Sequence, residues 1–148
     1  LKKTKIMKLT LSILFSFLAL HIYAQNPNTH DLKITVTNIK KLKGNIKLGI
    51  FNTENSFLIA GKEYKSVSKK VTDNEVILTL TDLPKGAYAI SLFQDVNTDN
   101  TCNLNFLGIP IEPYAFSNNF KPKFSKPKFN DCDIYLAKDQ AISIKLIN

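Results

Sequence analysis

The chain has 148 residues, a one-domain length, and carries 20 lysines, no arginine and 12 acids, for a formal net charge of +8. Arginine is the preferred bidentate partner of bases and phosphates, so an all-lysine charge argues against nucleic-acid binding. Four of the lysines precede residue 9, which leaves 16 lysines against 12 acids, or +4, on the rest.

Lys2, Lys3, Lys5 and Lys8 form a positive leader, Leu9 to Leu20 is apolar, and Ile22-Tyr23-Ala24 ends on a small residue. This is the layout of a secretory signal peptide cut between Ala24 and Gln25. About a dozen apolar residues fall short of the ~20 that a membrane-spanning helix needs. No cysteine lies beside the cut, which argues against a lipoprotein. Met7, the only methionine, offers an alternative start to Leu1. The expected organisation is a signal peptide over 1–24 and one domain over 25–148. The product would be periplasmic or secreted, with no membrane span once the leader is gone.

Gln25 to His30 reads as a polar, disordered lead-in. Leu32, Ile34 and Val36 then alternate with polar residues, as do Ile46, Leu48 and Ile50. Period two with β-branched residues means half-buried strands, and the two are expected to pair as a hairpin across the Lys40–Gly44 turn. Phe57, Leu58 and Ile59 suit one turn tucked over the core, and Lys62, Lys65, Lys69 and Lys70 a solvated face. Val67–Val71 and Val76–Leu80 are the next strands. Asp82-Leu83-Pro84-Lys85-Gly86 is a tight turn. Ala87 to Phe93 is apolar on both faces, the mark of a central strand. LPKGAY also matches the corner of Greek-key sandwiches at which a tyrosine hydroxyl ties back to backbone. Lys-Pro-Lys-Phe occurs twice between Phe120 and Phe129; the prolines bar an interior strand, and the phenylalanines are expected to pin the segment as cladding. Cys132–Leu136 and Ala141–Ile147 close the chain. Seven short strands predict an all-β fold, a seven-stranded antiparallel Greek-key β-sandwich of immunoglobulin- or transthyretin-like build with a long loop after the fifth strand; a small barrel is the alternative.

That loop, Phe93 to Asn119, holds the densest set of carboxylates and amides. Asp95, Asn97, Asp99 and Asn103 stand at positions 1, 3, 5 and 9 of an EF-hand-like spacing, with the Thr101 carbonyl at 7. Together they form a candidate Ca²⁺ site. Position 6 is Asn100 instead of glycine, position 12 is Phe106 instead of glutamate, and Glu112 would have to fold back to contribute. The competing expectation is a loop of Asx-turns in which these side chains cap their own backbone. Phe106, Tyr114, Phe116 and Phe120, with Leu107 and Ile109, are expected to pack the loop down as a minor core; exposed, they would offer a patch to a hydrophobic or carbohydrate ligand. Cys102 and Cys132 are candidates for a disulfide in an exported chain, or for two separate buried thiols.

Catalysis has little to stand on. His21 leaves with the leader and His30 lies in the lead-in, so the folded body is expected to lack histidine and with it Ser-His and Cys-His nucleophiles. Asp95, Asp99 and Glu112 are the carboxylates from which a glycosidase pair would have to come.

The words NFLGIP (Asn105 to Pro110) and YAFSNN (Tyr114 to Asn119), after the Asp95–Asn103 run, resemble the DUF2141 family of exported bacterial proteins. GNIKLGIFN (Gly44 to Asn52) and LPKGAYAISLFQD (Leu83 to Asp95) are similar to its earlier strands. The resemblance implies export and a β-sandwich, and no established activity. Gln94 stands where the family often has His, Asn100 where it often has Gly, and Asn103 where it usually has Asp; Cys102 and Cys132 occupy places that are usually apolar. The expected role is a non-enzymatic binding or envelope-associated module, its partner an envelope protein or a glycan. A carbohydrate-active enzyme, or an accessory module that binds protein through an exposed sheet edge, is the alternative.

Overall fold

The computed structural model describes residues 28–148. The signal peptide expected over 1–24 lies outside the described residues. Eight strands form two packed sheets: β1 (Thr29–Thr37), β2 (Asn45–Phe51), β3 (Lys65–Lys70), β4 (Val76–Pro84), β5 (Gly86–Asp95), β6 (Tyr114–Phe116), β7 (Asp133–Leu136) and β8 (Gln140–Lys145). The smaller sheet has the order β4-β1-β8. The larger runs β3-β2-β5-β6, with β7 also on β5.

The sandwich is therefore as expected, with three corrections. Among the described residues there are eight strands, because Tyr114–Phe116 adds three residues to the side of β5 away from β2. β1 and β2 are not a hairpin: the alternation of Leu32, Ile34 and Val36 shows that one face is buried, and that face meets β2 across the core instead of beside it. β1 instead pairs with β4, and β2 with β5. Lastly, the sheets are not wholly antiparallel, since β8 runs parallel to β1, Leu32 opposite Gln140 through Thr37 opposite Lys145.

Leu32, Ile34 and Val36 of β1 face Ile46, Leu48 and Ile50 of β2 and Ile90 and Leu92 of β5 in the main core, all 2% exposed or less. Each such side chain contributes about 1.5–3 kcal/mol by leaving water. The outer face of β5 has its own cover, in which Phe51, Phe57, Ala89, Phe116, Phe129 and Cys132 form a second cluster. Phe57 meets Phe51 and Phe129 edge-on, at centroid distances of 5.4 and 6.0 Å. Phe57 is thus tucked in as expected, whereas Ile59 is exposed. Covered on both sides, β5 is apolar on both sides. At its start the Tyr88 hydroxyl donates to the Pro84 carbonyl at 2.7 Å, the tyrosine corner that LPKGAY announces.

The Lys-Pro-Lys-Phe segment is cladding only in part. Phe120 and Phe129 pack on the second cluster, the latter from a single helical turn α1 (Phe129–Cys132), while Phe124 is fully exposed. His30 lies within β1 with its side chain mostly buried, Nδ1 3.9 Å from an Asp139 oxygen, so the folded body does contain a histidine. It stands opposite Leu83, at the end of the sandwich away from the β5–β6 loop, and no loop carboxylate can use it.

Candidate functional site

β5 delivers Asp95 to the base of the loop, buried beside the β1–β2 turn. Gly44 in that turn has φ +74°, and a Cβ there would stand 2.0 Å from the Asp95 carbonyl oxygen, so only glycine admits the approach. Both Asp95 carboxylate oxygens accept backbone N–H groups, Oδ1 from Asp99 at 3.2 Å and Oδ2 from Asn100 at 3.0 Å. Asn97 Oδ1 also accepts the Asp99 N–H, at 3.2 Å, and Asp99 Oδ1 accepts that of Thr101, at 2.8 Å. The loop is thus a chain of Asx-turns. Its sharp bends fall at Thr98 (φ 62°) and Asn100 (φ 67°). Asn100 therefore adopts the left-handed backbone for which an EF-hand uses glycine at position 6.

Asn97, Asp99 and Asn103 meet above this base. Asn97 Nδ2 donates to Asp99 Oδ2 at 2.8 Å and to Asn103 Oδ1 at 3.1 Å, and Asn103 Nδ2 donates to Asp99 Oδ2 at 3.1 Å. These bonds hold the Asp99 carboxyl below the usual carboxylate range, the Thr101 N–H foremost and the Asn103 amide next, so it is charged at neutral pH. Glu112 does fold back: Oε1 accepts the Val96 N–H at 2.8 Å, and Oε2 faces the Asn103 N–H at 3.5 Å. Phe106, at position 12, points into solvent at 96% exposure. Lys47 of β2 donates to Asn100 Oδ1 at 2.5 Å, a cation at the loop's edge that strand periodicity gave no means to foresee.

The Asp95–Asn103 residues are therefore brought together, but mostly as caps. To bind a cation, Asn97 and Asn103 would have to turn their amide oxygens inward. Asp99 would be its chief charged ligand, with Asp95 kept below as scaffold. Among the described residues no three Asp, Glu, His or Cys side chains gather as a metal-holding group.

The loop aromatics divide. Phe116 is buried and Tyr114 half-buried, their rings 5.9 Å apart, as a minor core requires. Phe106, Leu107 and Ile109 are not packed down; they project from a tight hairpin bridged between Leu104 and Pro110. Its turn is made by Asn105, whose Oδ1 accepts the N–H groups of Leu107 at 2.9 Å and Ile109 at 3.0 Å, with Gly108 at φ +75°. Asn-x-x-Gly is a turn signal that would have marked this hairpin in the sequence.

The cysteines are both free. Cys132 precedes β7, whose Asp133 pairs with Ala89, whereas Cys102 lies beyond Asp95 at the other end of β5. Six residues of strand separate those two levels by roughly 20 Å, far past the ~7 Å Cα limit for a bridge. Burial pushes both thiols up, Cys132 to about 12 with help from Asp131 and Asp133, and Cys102 with help from the Glu112 charge. Neither is a nucleophile at neutral pH.

The YAFSNN word is a clamp. β6 and β7 occupy the same side of β5 end to end, and Ile90 falls in the gap between them. The buried Ser117 hydroxyl fills that gap, accepting the Ile90 N–H at 2.9 Å and donating to the Cys132 carbonyl. Asn118 donates to the Asp133 carbonyl, and Asn119 exchanges hydrogen bonds with Ser143 and Lys145 of β8. Ser117 and Asn118 thereby knit β5 to β7 within the larger sheet, and Asn119 reaches β8 of the smaller one.

Fold and loop together define an all-β module whose most elaborate feature is one long capped loop. Residues 34–145 match the family described as an uncharacterized protein conserved in bacteria (DUF2141), and the chain belongs to that family. No curated protein and no solved structure matches the chain.

Proposed function

We propose that this is an exported, non-enzymatic binding module of the bacterial envelope, periplasmic or secreted, with the β5–β6 loop as its working part and a weak Ca²⁺ site at Asp95–Asn103. Export rests on the leader pattern over Lys2–Ala24. The observation that carries the loop reading is the left-handed backbone at Asn100, which turns Asn97, Asp99 and Asn103 toward one another around a charged Asp99. Ca²⁺ takes six to eight oxygens, and Asp99 as the one charged ligand, with Asp95 held as scaffold and Lys47 nearby, favours an affinity no better than the millimolar range seen in extracellular modules.

Two rivals draw less support. A glycosidase needs two free carboxyl groups across a cleft, while the oxygens of Asp95 and Glu112 already face backbone N–H groups. A protein partner added at a sheet edge needs an open edge. Lys65 and Lys69 of β3 lay their ammonium groups on the Thr81 and Ile77 carbonyls of β4, and Asn119 engages the edge of β8.

The test is a thermal melt in Ca²⁺ against chelator. At ten times a millimolar Kd the expected stabilisation is about 1.4 kcal/mol, roughly 4–6 °C in Tm. Asp99→Asn should abolish the shift. An unchanged Tm would remove the Ca²⁺ site.

A further inference from the structure

The Leu104–Pro110 hairpin presents an apolar surface for which the rest of the fold has no use. Phe106 is 96% exposed, Leu107 and Ile111 67% each, and Leu104 and Ile109 about half. Asn105 and Gly108 shape the turn, so these side chains are held out in water by a hydrogen-bonded structure. The β1–β2 turn lies at the same end of the sandwich, fixed there by the Gln94 amide, which donates to the Lys41 and Lys43 carbonyls. It adds Leu42, 60% exposed, within the run Lys40-Lys41-Leu42-Lys43. Lys40 and Lys41 line one open groove of about 350 Å³ with Ile109, Pro110 and Ile111. Among the described residues that line the groove, Glu112 has the one acidic side chain, and its carboxylate is turned to backbone N–H groups. The exposed acids of this end, Asp73, Glu75 and Asp99, do not line it.

We infer that this end of the molecule docks on an anionic lipid surface, the Phe106–Leu107 tip entering the acyl boundary while Lys40, Lys41 and Lys43 meet the headgroups. Membrane affinity of this kind sums buried apolar area and attraction to acidic lipid. An aromatic residue beside aliphatic ones on a narrow projection suits a fluid interface that closes around it. A protein partner would need a matching cavity, and the lysines beside the tip favour a negatively charged acceptor. This inference deepens the envelope reading by naming what the loop touches. It does not depend on Ca²⁺, so a negative melt and a negative lipid test condemn different claims.

The chain has no tryptophan, so Phe106→Trp supplies a single reporter at the tip. Tyr135→Trp, on β7 opposite Ala87 at the far end of β5, supplies the control. In the exported chain from Gln25 onward, vesicles of phosphatidylcholine with phosphatidylglycerol should blue-shift the reporter at 106, and brominated acyl chains should quench it. The reporter at 135 should do neither. Pure phosphatidylcholine, or salt near 1 M, which cuts the screening length to about 3 Å, should weaken the response. In parallel, Phe106→Ser with Leu107→Ser should lower cosedimentation with anionic vesicles at least about tenfold. No shift at 106, an equal shift at 135, or equal responses with neutral and anionic vesicles would overturn the inference. So would a blue shift that grows with protein concentration in the absence of lipid, which would assign the tip to a second copy of the chain.

Discussion

Ser117 does the work of a missing strand. Where β6 stops and β7 has not begun, the Ile90 peptide would be buried with an unpaired donor; one hydroxyl supplies its partner and donates its own hydrogen bond to the Cys132 carbonyl. Ser117→Ala leaves that N–H orphaned, and the expected loss is about 1–3 kcal/mol, read as a lower urea midpoint at unchanged m-value. The YAFSNN word includes this serine, but no periodicity or spacing assigns its role, which depends on which two strands share β5. Asn105 and Asn118 differ in this respect, since each combines a short amide with a turn. Asp95, Asn97 and Asp99 were legible as a set from their two-residue spacing. That spacing states only that their oxygens turn inward, and the nearest takers are the N–H groups of their own loop.

Strands β4 and β5 were legible in their centres from alternation, but the expected Asp82–Gly86 turn is mostly strand: β4 runs on to Pro84 and β5 starts at Gly86, with Lys85 alone between them. β6 was not legible, being three residues without a period. The partition of strands between sheets was hidden for a general reason: alternation reports that a face is buried and is silent on what covers it. The lysines of β3 illustrate the point. In sequence they read as a solvated face, and in the fold Lys65 and Lys69 reach across to the carbonyls of β4 and close the gap between the two sheets' edges. An edge guarded by charge resists pairing with other chains. Lys65→Thr with Lys69→Thr should therefore drive self-association at concentrations where the parent is monomeric, measured by sedimentation velocity.

The stability of the whole molecule should fall in alkali through Cys132. Its folded thiol keeps the proton to about pH 12, whereas the unfolded one releases it near 8.5. Across that window the unfolded chain binds fewer protons, so stability drops as pH rises, by at most about 1.4 kcal/mol per unit. Burial moves Tyr88 the same way from its ordinary value, so the two effects overlap at high pH. The difference between parent and Cys132→Ala in urea midpoint against pH isolates the cysteine: the parent should show the steeper fall above pH 8.5. Equal slopes would mean that the thiol titrates freely in the folded state.

The parallel course of β1 and β8 gives the molecule a lengthwise polarity. The polypeptide comes into the sandwich at Thr29, beside Pro84, and β1 ends at Thr37, near the pole that bears the long loop. Nine residues of strand put those poles roughly 30 Å apart. The chain's entry at Thr29 and the Leu104–Pro110 hairpin therefore face opposite ends of the sandwich. Whatever the hairpin rests on, a tag joined ahead of Thr29 would point away from it.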